Sequence, residues 1–332
     1  MSTPQTVAHY NLLEPIGTGG MGEVFRARDT KVGRTVALKL APPAITGNPA
    51  LLARFMDDAR VAMSLSHPNI ATLFDAGESD GHAYLAYEYA QGTPLREEMA
   101  GGAMNPRRAL DVAVQIADGV ADAHALGVIH GDLRPDVVIV TGKGSAKILD
   151  FGMAPWTRGG ITRVRAAKEP DALGADAVSV VAYMSPEQAI GGATDARSDV
   201  FCLAAMTYEM LTGRSAFAGG SAADTVVNVI QCKLVPPSEA NPAVATDLDS
   251  VLTRALARDI NERQQSAAAF AAELRSVAAM LDVRTGDADV VQPSALMPLD
   301  VGPDRSAAGL LFGALAAAAA AAVAVWGWLW WS

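Results

Sequence analysis

Cysteine is nearly absent: Cys202 and Cys232 are the only two in the chain. They are widely spaced and have no histidine pair nearby, so neither a disulfide framework nor a zinc site is indicated, and both are expected to be reduced thiols. Histidine is scarce too. His9, His67, His82, His124 and His130 never fall at the i, i+4 spacing of a helical metal site, so each is expected to be a loop or core group. Basic residues are in deficit: 26 Lys and Arg face 36 Asp and Glu, a net charge of -10, with no basic tail. A phosphate backbone needs a concentrated positive field, so no nucleic-acid partner is expected. The opening MSTPQTVAHY has no basic region followed by an apolar run and does not read as a secretory leader. What the chain does have is length, since 332 residues suffice for one bilobal domain or two ordinary ones.

It also has one long uncharged run, residues 307–331, an alanine-rich stretch that closes on Trp326, Trp328, Trp330 and Trp331. A helix of that length spans about 36 Å, enough for a hydrocarbon core of about 30 Å. The run shows no polar face, as a soluble surface helix would, and tryptophan favours the membrane interface. A transmembrane helix is expected here. The small-xxx-small spacing of Gly309 and Gly313 allows two spans to meet, which makes a homodimer an expectation as well. Before the run, residues 282–306 carry Pro293, Pro298 and Pro303 among polar residues and read as a linker without a core.

The chemistry concentrates elsewhere. Two apolar runs, Val128-Ile129 and Val137-Val138-Ile139-Val140, bracket a polar loop with Asp132 and Arg134, and a second acid, Asp150, closes Ile148-Leu149. A carboxylate at the end of a buried strand is costly to desolvate unless it meets a cation, a donor or a substrate proton. The two acids therefore read as one polar site, with two turn-capping loop acids as the bland alternative. Upstream, Gly17, Gly19 and Gly22 lie between strand-like runs, where a backbone without Cβ can approach a phosphate. No helix follows them, which counts against a dinucleotide-binding βαβ unit. The alternating strand Thr35–Leu40 then puts Ala37 and Lys39 on one face.

Taken together, G-T-G-G-M-G-E-V at 17–24, V-A-L-K at 36–39, H-P-N-I at 67–70, H-G-D-L-R-P at 130–135, D-F-G at 150–152 and Y-M-S-P-E-Q at 183–188 resemble the ordered motifs of a bacterial, eukaryotic-like (Hanks-type) Ser/Thr protein kinase. The resemblance implies an α+β, bilobal protein-kinase-like fold at residues 10–281. A small β-rich N-lobe (10–89) would meet a larger helical C-lobe (90–281), with an arm (1–9) before them and the linker and transmembrane helix after. It implies ATP and Mg²⁺ or Mn²⁺ as cofactors and a protein substrate or signalling partner. Its location would be the cytoplasmic membrane, crossed once, with the kinase domain in the cytosol.

Residue by residue, the resemblance implies that Gly17, Gly19 and Gly22 cover the ATP phosphates, that Lys39 pairs with them and that Ile16 also binds ATP. Val24, Ala37 and Ile139 would sandwich the adenine, and the backbones of Glu88 and Ala90 would bond its edge, with Tyr87 narrowing the pocket behind. Asp132 would accept the substrate hydroxyl proton, Arg134 would stand by the transferring phosphate and Asp150 would hold the metal. Asp58 aligns with the helix acid that partners Lys39. Glu187 and Arg263 would form a buried ion pair, and Asp199 would hold the catalytic-loop backbone.

Several positions depart from the family pattern. Val137 stands where an asparagine ligates metal, and an isopropyl group offers no lone pair. Asp136 lies beside it in a segment read as extended, so its side chain is expected to point the other way. Gly131 replaces an arginine that answers loop phosphorylation, and Val180 replaces a threonine that bonds the catalytic acid. The expectation is a kinase with weak transfer. The alternative is a pseudokinase, inactive in transfer and serving as a nucleotide-regulated scaffold.

Overall fold

The computed structural model describes residues 5–19, 21–157 and 177–285. The expected transmembrane helix, and the linker beyond residue 285, lie outside them. Among the described residues no helix is long and apolar enough to cross a membrane.

The N-terminal part is an antiparallel six-stranded sheet in the order β1-β2-β3-β4-β6-β5. Its strands are β1 (Thr6–Val7), β2 (Tyr10–Gly19), β3 (Gly22–Asp29), β4 (Thr35–Leu40), β5 (Leu73–Ser79) and β6 (His82–Glu88). Alternation does the sorting. In β4 Val36, Leu38 and Leu40 are buried on one face, joining Phe25, Ala27 and Tyr10 in an outer core, while Ala37 and Lys39 occupy the other. The second face packs on helix α1 (Pro49–Ala62), which buries Phe55, Ala59 and Ala62 against Leu73, Leu85 and Tyr87. Asn48 starts that helix by accepting from the amides of Ala50 and Leu51, and Pro49 at the first helical position loses no intrahelical bond.

The β2–β3 hairpin pairs Gly17 with Val24 and Gly19 with Gly22. Gly22 is obligatory on two counts. Its φ is 100°, and a Cβ there would lie 1.8 Å from the Leu40 carbonyl oxygen. The hairpin is thereby seated against the end of β4, where Val24 pairs with Lys39.

The C-terminal part is helical around one large core. Helices α2 (Pro106–Ala125), α3 (Ala196–Thr212), α4 (Ala222–Gln231), α5 (Asp247–Ala255) and α6 (Ala267–Thr285) enclose Ile116, Phe201, Phe217, Leu248 and Phe270. Asn105 caps α2, Asp195 forms a capping box with Ser198 on α3, and the Ser266 hydroxyl accepts from the Ala269 amide at the start of α6. Helix α6 runs past the expected domain end at 281, and Arg107 meets Asp282 at 3.2 Å on that last stretch. A small sheet, β7 (Gly92–Pro94), β8 (Val138–Thr141) and β9 (Ala146–Ile148), lies where the two parts join. Ala71 donates to Ile148 at 2.8 Å and Ile148 to Asn69 at 2.8 Å, tying the parts together. The segment before β8 is not extended as its sequence suggests: Pro135–Val137 form a 3₁₀ turn, with proline at its first position.

Candidate active site

Between the two parts lies a cavity of about 410 Å³, lined by the glycine hairpin, Lys39, Arg134 and Asp150 among others. Of the residues read from the sequence as nucleotide-binding, Ile16, Gly17, Gly22, Val24, Ala90 and Ile139 line it too. Gly19 sits at the tip of the hairpin, paired with Gly22. Ala37 is set behind the lining, packed on the core beneath the sheet. The Glu88 carboxylate turns away, accepting from Lys147 at 2.9 Å and from the Thr72 amide at 3.3 Å. Tyr87 does not line the cavity but lies behind Lys39: it is buried, and its hydroxyl has no hydrogen-bond partner. Burial, then the nearby Asp150 charge, pushes its phenol well above the usual range.

Lys39 is ion-paired with Asp150, and its ammonium lies 5.3 Å from the centroid of the Tyr87 ring. Asp150 has a left-handed φ of 61°, a conformation aspartate tolerates better than bulky residues. The expected Lys39–Asp58 pair is not made in this structure. Asp58 instead accepts from the Trp156 indole Nε1 at 2.8 Å. Trp156 ends a 3₁₀ turn, Ala154–Trp156, that follows Asp-Phe-Gly and drives the ring edge-on against Phe55, with centroids 5.3 Å apart. An aspartate, one methylene shorter than glutamate, meets this nearer donor first.

The loop holding Asp132 is fixed from behind. Buried Asp199 accepts from the amides of His130 at 2.7 Å and Gly131 at 2.8 Å, and its carboxylate meets His124 Nε2 at 2.9 Å. Burial alone would raise the Asp199 carboxyl. The His124 and Gly131 bonds outweigh it and leave the carboxyl below its ordinary range. The His130 ring is set by two bonds: Nδ1 accepts from the Asp132 amide at 3.1 Å and Nε2 meets the Leu149 carbonyl at 3.0 Å.

Asp132 itself is 8% exposed. One carboxylate oxygen accepts from Arg134 Nε at 3.2 Å; the other accepts from the Thr157 hydroxyl at 2.6 Å. Arg134 also reaches Asp136 at 2.7 Å, and Asp136 meets Arg96 at 3.3 Å. Beneath the site Arg263 grips Glu187 through two bonds, of 2.8 and 2.9 Å, and Ser198 donates to the same carboxylate at 2.6 Å.

A divalent metal would find one carboxylate here, that of Asp150. Val137 is 4% exposed and apolar, and Asp136 is engaged by two guanidinium groups. Among the described residues no cluster of three or more His, Cys, Asp or Glu could hold an ion. Magnesium is commonly held by one or two carboxylates together with substrate phosphates, so the residues fit a metal that arrives with its nucleotide, not a prebuilt cage.

Two contributors escape a reading of the sequence alone, Trp156 and Thr157. A signal was there: Trp156 is the one tryptophan outside the C-terminal cluster, and it stands four positions after Gly152 in an alanine-rich chain.

Residues 10–274 match the protein kinase domain family. The chain is 34% identical over 280 residues to the serine/threonine-protein kinase PknB of Mycobacterium tuberculosis, covering 82% of this chain and 44% of that protein. It is 32% identical over 268 residues to PrkC of Bacillus subtilis, covering 80% and 40%. The chain thus spans less than half the length of these curated relatives. Among solved structures it is similar to the PknI kinase domain of Mycobacterium tuberculosis, with 26% identity, a TM-score of 0.63, and coverage of 82% of this chain and 97% of that one.

Proposed function

The chain belongs to the protein kinase domain family, among the bacterial Ser/Thr kinases of the eukaryotic-like type, and from that premise we propose that it transfers the γ-phosphate of ATP to protein Ser or Thr hydroxyls. One observation carries the reading: Lys39, Arg134 and Asp150 converge on one cavity under a glycine hairpin, and Asp132 is held beside it by Asp199 from behind. In this reading Lys39 and the hairpin amides hold the phosphates, Val24 and Ile139 flank the adenine with Ala37 behind them, and the backbones of Glu88 and Ala90 bond its edge. Asp132 takes the hydroxyl proton and Arg134 offsets charge on the phosphate as it moves. Asp150 would hold Mg²⁺ or Mn²⁺, whose contribution when bound is to neutralise charge between the phosphates.

Val137 favours a second reading, a pseudokinase whose nucleotide binding serves as a signal. The two part in one experiment, labelled-phosphate transfer from ATP by the full chain with Mg²⁺ or Mn²⁺, scored against Asp132→Asn. Transfer that disappears in the variant supports the enzyme. Transfer no greater than the variant's, in protein that binds nucleotide, supports the scaffold.

We also propose that residues 307–331 anchor the protein in the cytoplasmic membrane as a single span, with the kinase domain on the side where ATP is. Gly309 and Gly313 offer a face for a second copy. A chain ended at Ser306 should leave the membrane fraction; its retention there would overturn the anchor.

A further inference from the structure

We propose, resting on the kinase reading above, that Gln188 is a positioning residue for phosphate transfer, acting through the peptide bond that carries Asp132. Its Nε2 donates to the Gly131 carbonyl at 3.0 Å, and the residue is buried, 2% exposed. At the other end of the same amide, Oε1 accepts from the Ser185 N–H at 3.0 Å and from the Cys202 thiol at 3.4 Å. A backbone N–H can only donate and a carbonyl can only accept, so the side-chain amide has one orientation here. Val180 faces the same small void between the Asp132 loop and Gln188 and offers no hydroxyl to it.

The Gly131–Asp132 peptide needs such a hold. Gly131 has a left-handed φ of 74°, and glycine resists backbone rotation less than any other residue. Standing where the family pattern has an arginine, it also has no side chain with which to brace the loop. Asp199 fixes the amides of His130 and Gly131, which belong to the two preceding peptide bonds. The next one is held by side chains at both ends. Its N–H, that of Asp132, donates to His130 Nδ1 at 3.1 Å, and its carbonyl, that of Gly131, takes the Gln188 amide. His130 Nε2 faces the Leu149 carbonyl, an acceptor, which puts the ring proton there and leaves Nδ1 to accept. With both ends held the peptide plane resists turning, and the Asp132 side chain keeps its aim.

Gln188 also belongs to a capping box. Its backbone N–H donates to Ser185 Oγ at 3.3 Å while its Oε1 takes the Ser185 N–H, which starts the short helix Pro186–Ala189. That helix is anchored from below, since Glu187 is gripped by Arg263 and Ser198, so the bond to Gly131 leads to a fixed point. Capping uses Oε1 alone, and glutamate serves it as well as glutamine. Holding Gly131 uses Nε2, which glutamate lacks. The two duties therefore separate by substitution.

The full chain is given ATP, Mg²⁺ and casein as acceptor, and kcat is counted per site that binds a fluorescent ATP analogue, so that unfolded molecules do not enter. Gln188→Glu keeps the cap and loses the hold on Gly131; Gln188→Met loses both without adding a charge. Each should lower kcat by about tenfold to a hundredfold, the scale of a catalytic group displaced by about 1 Å. KM for ATP should stay as it is, because Gln188 does not line the nucleotide cavity. Ser185→Ala breaks the cap and leaves the bond to Gly131, so it should melt at a lower temperature with kcat unchanged. Either Gln188 variant with the kcat of wild type would overturn the proposal and leave the kinase reading standing. So would an equal loss of kcat in Ser185→Ala, or a raised KM for ATP in place of a lowered kcat. A wild-type chain that binds the analogue and transfers nothing to casein or to itself would overturn the kinase reading and the role of Gln188 with it.

Discussion

The indole N–H of Trp156 donates to the carboxylate of Asp58 at 2.8 Å, and that bond keeps Asp58 from Lys39, which pairs with Asp150 instead. Three groups of the site are thus set by one turn, Ala154–Trp156. Trp156 captures the helix acid, Thr157 covers Asp132, and the Asp150 carboxylate is left to the lysine.

Trp156→Phe tests this relationship. Phenylalanine keeps an aromatic ring against Phe55 and removes the donor. The lost hydrogen bond to a charged group should cost about 2 kcal/mol of stability. Asp58, released, can compete for Lys39 and free Asp150 for metal, so transfer should rise by about threefold, a barrier change of roughly 0.7 kcal/mol. Urea unfolding and initial transfer rates measure both. A slower enzyme would show that the captured state is the productive one.

The apolar side chain of Val137 makes the second test. Val137→Asn returns an amide oxygen beside Asp150, a second ligand for the ion. Transfer should rise by about tenfold, equivalent to about 1.4 kcal/mol, and half-saturation by Mg²⁺ should fall. The measurement is a magnesium titration of the initial rate in both proteins. An unchanged midpoint would mean that the missing ligand does not limit the metal.

How far the site is legible in sequence follows from the range of the forces involved. Ala37 and Lys39 share a face because strand side chains alternate, a rule local to five residues. The seat of Gly22 over Leu40 follows from glycine being the one residue that can approach so closely. The partner of Lys39 is another matter, since Asp58, Trp156 and Asp150 come from separate elements. Which carboxylate meets which donor is decided by how a three-residue turn closes after Asp-Phe-Gly. No period or spacing encodes that competition. Asp136 shows the same limit: a proline-started 3₁₀ turn replaces the extended segment, and Arg134, which begins that turn, and Arg96 from a separate element claim its carboxylate.

Glu187 and Arg263 supply a stability test with a defined sign in pH. The Arg263 side chain is 0% exposed. Glu187→Gln would leave that charge without its counter-ion, at a cost of about 3–5 kcal/mol. Burial works to raise the Glu187 carboxyl, but the bonds from Arg263 and Ser198 prevail and hold it below its ordinary value of 4.5. A depressed folded value means that the pair's contribution is complete above pH 4.5 and is lost as pH falls through the lower folded value. Melting temperatures of wild type and Glu187→Gln should therefore lie far apart at neutral pH and converge in acid. A gap that widened below pH 4.5 would contradict the sign.

Tyr87 offers a substitution expected to stabilise. Its hydroxyl is buried without a partner, and a buried polar group left unpaired costs about 1–3 kcal/mol. Tyr87→Phe removes that oxygen and keeps the ring that faces Lys39. The ring's negative face still attracts the ammonium, so the Lys39–Asp150 geometry should persist. Unfolding in urea should shift to higher concentration, by the equivalent of about 1 kcal/mol, with no change in slope. A loss of stability would instead show that the hydroxyl has a partner in solution, and a water molecule bridging it to Asp150 would be the first to seek.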